Sequence, residues 1–130
     1  MRRDGALGRK PVLLNCQQLN GIVNTASVRV NGYEFTHFHV MANAGGGLTF
    51  TAVVQHSDDD VTFANAPSPN TITIVNTLDE KWILVDHQKL NQYVRLRIST
   101  DGNMSIGVLA VQSNSKNNLG GTLPDLAITG

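Results

Sequence analysis

Residues 93 to 111 read YVRLRISTDGNMSIGVLAV. Val94, Leu96 and Ile98 alternate with Arg95, Arg97 and Ser99, the two-residue period of a half-buried strand. Asp101-Gly102 follows, a dipeptide suited to a two-residue type I′ turn. Met104 to Val111 is apolar again and reads as the returning partner strand. The stretch predicts a β-hairpin, and with it an all-β fold.

The rest of the chain agrees with that class. Strands are expected over Leu48 to Gln55, Ile72 to Val75 and Trp82 to Val85. Another is expected over Val28 to Met41, with Asn31-Gly32 inside it as a turn or bulge. Asn43-Ala44-Gly45-Gly46-Gly47 and Ala66-Pro67-Ser68-Pro69-Asn70 read as connectors. Short strands punctuated by Gly, Asn and Pro predict an antiparallel β-sandwich or barrel. The two ends differ from this body. Residues 1 to 12 form a basic arm, residues 13 to 112 the sandwich domain, and residues 113 to 130, SNSKNNLGGTLPDLAITG, a polar, Gly-rich C-terminal arm.

Composition narrows the function. The 130 residues carry 10 Lys plus Arg against 10 Asp plus Glu, so the net charge is zero. A nucleic-acid binder would show a basic excess, and direct nucleic-acid binding is not expected. The seven aromatics also offer no obvious stacking platform for single strands. Charge is uneven, however: Arg2, Arg3, Arg9 and Lys10 stand against Asp4 alone in the first ten residues. Such an arm is either a solvated terminus or a grip on an acidic neighbour. Cys16 is the single cysteine, so no intramolecular disulfide forms, and a buried structural thiol is its expected role. No apolar run approaches the roughly 20 residues needed to cross a bilayer. Val12-Leu13-Leu14 is too short for a signal-peptide core. Synthesis in a cytoplasm is expected, with export only inside an assembled particle.

Two clusters invite a metal. His37 and His39 in Thr36-His37-Phe38-His39-Val40 lie two apart, which on a strand puts both on one face about 6 to 7 Å apart. Cupin-type sandwiches use His-x-His in this way, with a glutamate a few residues later. Here Asn43 and Ala44 stand instead, and only His56 or His87 remains as a third ligand. Asp58-Asp59-Asp60 offers oxygen ligands to calcium, but not the alternating carboxylates and central glycine of an EF-hand loop. A solvated turn explains it as well, because Asp caps turns through nearby backbone amides. The expected state is no cofactor and no metal, with His37, His39, Asp58 and Asp60 as the candidate ligands. There is no nucleophile elbow, phosphate loop, Cys-x-x-Cys or dinucleotide fingerprint. No catalysis is expected. Trp82, next to Ile83-Leu84-Val85, is expected in the core.

Three stretches carry a family likeness. Phe50 to Phe63, FTAVVQHSDDDVTF, is a strand ending in Gln-x-Ser, then an acidic turn, then an aromatic. Gln92-Tyr93-Val94-Arg95-Leu96-Arg97 is a later Tyr-x-Arg-Leu strand, and the Asp101-Gly102 hairpin follows it. In this order, over residues 25 to 112, the chain resembles the small jelly-roll-like capsid cement, or decoration, proteins of tailed bacteriophages. Discoidin-type carbohydrate-binding domains carry a related stretch. This chain departs from theirs at Asp60, where glycine is expected, and at Phe63, where tryptophan is usual. The cement resemblance implies a homotrimer on the outer capsid surface of the virion, bridging major capsid proteins. It also gives the arms a purpose. Arg2, Arg3, Arg9 and Lys10 would meet the coat, and Leu123, Leu126 and Ile128 would cross to a neighbour. The competing expectation is a carbohydrate-binding or adhesive sandwich of a tail or neck.

Overall fold

A computed structural model describes residues 12–29, 33–86, 90–113 and 124–128. Nine strands follow in chain order: β1 (Val12–Asn24), β2 (Val28–Arg29), β3 (Phe35–Asn43), β4 (Thr49–Ser57), β5 (Ala64–Asn65), β6 (Thr71–Val75), β7 (Leu78–Asp86), β8 (Tyr93–Ser113) and β9 (Leu126–Ile128). The fold is all-β, as the alternating sequence predicts.

β8 organises the rest. It runs for 21 residues and does not turn back at Asp101-Gly102. Neither residue takes the positive φ that a type I′ turn requires. The predicted hairpin is therefore one continuous strand. Its first part pairs antiparallel with β4, from Tyr93↔Ser57 to Thr100↔Phe50. Its last part pairs antiparallel with β3, from Ser105↔Asn43 to Ser113↔Phe35. β1 and β2 line its other edge. Asp101-Gly102 serves the corner between the two parts. The Asp101 Oδ1 accepts a hydrogen bond from the Thr49 N–H at 2.8 Å. A Cβ on Gly102 would lie 2.7 Å from Cδ2 of Leu48, so glycine leaves that side chain its place.

From β8 the sheet extends in two directions. One half adds β6 and β5 to the far edge of β4. The other adds β7 to β3, antiparallel, and then β9 to β7, parallel. The sheet is thus mixed, where the sequence predicts purely antiparallel strands. It curls so that both halves face one core. Phe50, Ala52, Val54, Leu96 and Ile98 come from the first half; Phe38, Val40, Ile83, Val85, Ile106 and Val108 come from the second.

Several details depart from the expected elements. The strand predicted over residues 28–41 is two strands, β2 and β3, and Asn31-Gly32 lies outside the described residues. β7 starts at Leu78 rather than Trp82. β1 is not expected at all. Its sequence, VLLNCQQLNGIVN, has no clean alternation. Register shifts at Val12/Leu14, Leu14/Gln17 and Leu19/Gly21 explain why, since each bulge resets the two-residue period. The C-terminal arm is also corrected in part. Leu126 and Ile128 are only 8% and 3% exposed and join the chain's own core through β9. Within the chain they pack inward rather than stand out as a free arm.

Because both parts of β8 feed one core, Ile98→Ala and Ile106→Ala should each cost about 2–5 kcal/mol. Chemical denaturation should show one cooperative transition for each variant, with both midpoints lowered.

Candidate functional site

The residues of the family-like stretches converge where β4 meets the first part of β8. Gln55 and Arg95 are cross-strand partners. The Arg95 Nε donates to Gln55 Oε1 at 3.0 Å, and Gln55 Nε2 donates to Asn65 Oδ1 on β5 at 3.0 Å. The Arg95 guanidinium lies 3.8 Å from the centre of the Phe63 ring, a cation–π contact. Gln55 is thus a buried bridge that ties β5 to β8 through β4.

Ser57, at the end of β4, starts the acidic turn. Its hydroxyl oxygen accepts from the N–H groups of Asp59 and Asp60 at 3.1 and 3.0 Å. It donates to Asp59 Oδ1 at 2.9 Å. The same Oδ1 accepts from the N–H groups of Val61 and Thr62, both at 2.9 Å. Asp59 therefore folds the turn with its own carboxylate. The Thr62 and Val61 amides, and then the Ser57 hydroxyl, hold its carboxyl below the usual range. Asp60 takes a φ of 61°, the left-handed conformation that glycine favours and aspartate tolerates. Its Oδ1 accepts a hydrogen bond from the Ser27 hydroxyl. The carboxylates of Asp59 and Asp60 are thus turned to different partners rather than to a shared centre. Among the described residues no group of three or more His, Cys, Asp or Glu is placed to hold a metal ion.

The two histidines do share a face, on the outer side of β3. His37 is buried, with 3% exposure, opposite Leu84 and Val111. His39 is half-buried. Its Nε2 lies 3.1 Å from Glu80 Oε2. Its ring stacks on Trp82 at 4.2 Å between centroids and 4° between planes. Trp82 is therefore not in the core. β7 directs Ile83 and Val85 inward, so Trp82 and Leu84 point to the outer face. At the start of β7 an open depression of about 360 Å³ is lined by Met41, Leu78, Asp79 and Glu80. His56 is elsewhere: its Nδ1 accepts from the Asn91 N–H at 3.1 Å. Arg2, Arg3, Arg9, Lys10, His87 and Leu123 lie outside the described residues. Asp125, which the sequence does not single out, staples β9 in place. Its N–H donates to Trp82 O, its Oδ2 accepts from the Trp82 N–H, both at 2.8 Å, and its Oδ1 is 3.9 Å from Lys81 Nζ.

Compared by sequence, the chain matches no protein-family model and no curated protein. Compared by fold, it is similar to the SPBc2 prophage-derived protein YomS. The TM-score is 0.51 at 14% identity, over 81% of this chain and 94% of that one. It is also similar to VP2 of the infectious bursal disease virus subviral particle, with a TM-score of 0.51 at 18% identity over 89% of this chain. This chain spans only 35% of the VP2 chain. At such identities the likeness is one of fold.

The acidic turn has a pH signature. Asp59 has a lower pKa folded than unfolded, so the unfolded chain binds more protons as the pH falls below about 4. The stability it contributes is complete above that range and is lost as the pH falls through the folded value. Asp59→Asn should lower the melting temperature at neutral pH and flatten the acid decline below about pH 4. Thermal melts across that range will check it.

Proposed function

We propose that this protein is a virion structural protein, and within that class a capsid cement or decoration protein. One observation carries the reading. The fold is shared with a prophage-derived protein along almost that protein's whole length, and with part of VP2 in a viral particle. The family-like order of Gln55, Ser57, Asp59, Phe63 and Arg95 supports it, because Arg95 joins Gln55 to Phe63 and Ser57 and Asp59 fold the turn between those two stretches.

The partner in this reading is the major capsid protein, met on the outer surface of the virion by a homotrimer. Many modest contacts repeated over a symmetric lattice add up through multivalency. The role asks for no catalytic residue, cofactor, nucleic acid or membrane. The described residues include no helix long and apolar enough to cross a bilayer. Arg2, Arg3, Arg9 and Lys10 are proposed to grip an acidic patch of the coat.

Mass spectrometry of purified virions tests the reading through copy number relative to the major capsid protein. Hundreds of copies are expected of a lattice cement, and absence from particles overturns the virion role. A handful of copies moves the protein to the neck or tail. Deletion of residues 1–10 should lower occupancy on particles, and unchanged occupancy would remove the arm from the contact.

A second reading, a carbohydrate-binding or adhesive sandwich, gains one observation: Trp82 lies half-exposed on the outer face of β7, stacked on His39. Trp82 is the single tryptophan. Oligosaccharide binding there should change the intrinsic fluorescence, and Trp82→Phe should abolish the signal and weaken retention on an immobilised glycan.

A further inference from the structure

Among the described residues the sheet has several free edges, and most of them are short or charged. β9 is only three residues long. β5 is two residues long. β6 spans five residues, preceded by Pro67 and Pro69 and ended by the left-handed Asn76. The part of β7 that β9 does not reach carries Asp79, Glu80 and Lys81. Short strands, prolines and charges are the usual means by which a protein keeps an edge from pairing with another chain.

β1 is guarded differently: Pro11 precedes it and register shifts at Val12/Leu14, Leu14/Gln17 and Leu19/Gly21 interrupt its ladder, but it is neither short nor charged. It is 13 residues long and contains no charged residue and no proline. One of its edges pairs with β8, and among the described residues the other edge pairs with nothing. Gln17, Gln18, Asn20 and Asn24 are exposed along it, and Ile22 is a large apolar side chain at 61% exposure.

The composition also says which partner fits. In a two-fold pair of identical strands, any charge faces a copy of itself or of a near neighbour on the same strand. Like charges placed opposite each other are destabilising. β1 has no charge to repel. Its exposed Gln and Asn side chains each hold one acceptor and an amide donor group, so each is complementary to its own copy. Ile22, 61% exposed, would be partly covered by the second strand rather than left in water. A partner of different sequence would gain its selectivity from charge complementarity, which β1 does not offer.

We infer that the outer edge of β1 pairs antiparallel with β1 of a second copy of this chain about a two-fold axis. Main-chain hydrogen bonds then continue the sheet from one copy into the other. The inference does not rest on the virion assignment. It also differs from the three-fold assembly that the cement resemblance implies.

Sedimentation velocity of the full chain over a dilution series tests it. The expected species has twice the 14.0 kDa chain mass. The double variants Gln18→Glu/Ile22→Glu and Gln18→Lys/Ile22→Lys change side chains that the fold leaves exposed. Each should sediment as a monomer with an unaltered far-UV circular dichroism spectrum. Mixing the two should restore the dimer, which a mere loss of folding would not do. Amide exchange over residues 17–24 should be slow in the concentrated wild type and fast in either double variant. A wild type that is monomeric throughout overturns the inference. So does a trimer, or a dimer that both double variants leave intact.

Discussion

One strand carries the whole fold. β8 pairs with β4 through its first part and with β3 through its last, while β1 lines its opposite edge across both. Residues 94, 96, 98, 100, 104, 106, 108 and 110 all face inward, so the alternation keeps its phase through the corner. That constancy allows one row of side chains to serve both halves of the curled sheet. A slip of one residue anywhere in β8 would turn the following core residues outward. The corner is held by small features. Asp101 bonds to the start of β4, and Gly102 yields its space to Leu48.

The Gln55 cluster and the acidic turn hold the opposite end of β4, where Gln55 and Ser57 pair with Arg95 and Tyr93. Polar side chains here add to the backbone pairing of β4 with β5 and β8. Gln55 spans from β8 to β5, and Ser57 and Asp59 satisfy the amides of the turn that follows. Ser27 then reaches Asp60, which ties the segment between β1 and β2 to the same turn. The carboxylates of Asp59 and Asp60 act as structure. The same logic applies to Asp125, whose carboxylate fixes β9 against β7.

The outer face of β3 and β7 differs from a plain solvated sheet face. Phe35, His37 and Leu84 are buried there, and His39 stacks on Trp82 in the adjoining half-exposed stretch. A sheet with apolar residues on both faces carries no simple inside–outside alternation. That is why Trp82 reads as core in sequence and lies outside in space. Its neighbours Ile83 and Leu84 are both buried, on opposite faces.

The sequence by itself determined the class of fold, the inward-facing row of Val94, Leu96 and Ile98, and the short motifs that hold Gln55 and Arg95. Each depends on local alternation or on a short motif, which one strand and its immediate turn specify. It also held a clue against the hairpin. A two-residue turn at Asp101-Gly102 pairs Ile98 with Ser105 and Leu96 with Gly107, putting serine and glycine on the core face. The apolar phase of Met104, Ile106 and Val108 fits a continuous strand instead. Tertiary structure alone decided the rest. It decided that β1 is a strand, because bulges erase its period and its partner is some 80 residues away. It decided that Leu126 and Ile128 return to β7, because three residues carry too little pattern to name a partner. It also decided which faces of β3 and β7 are covered, because burial depends on what the whole sheet curls around and not on any one strand.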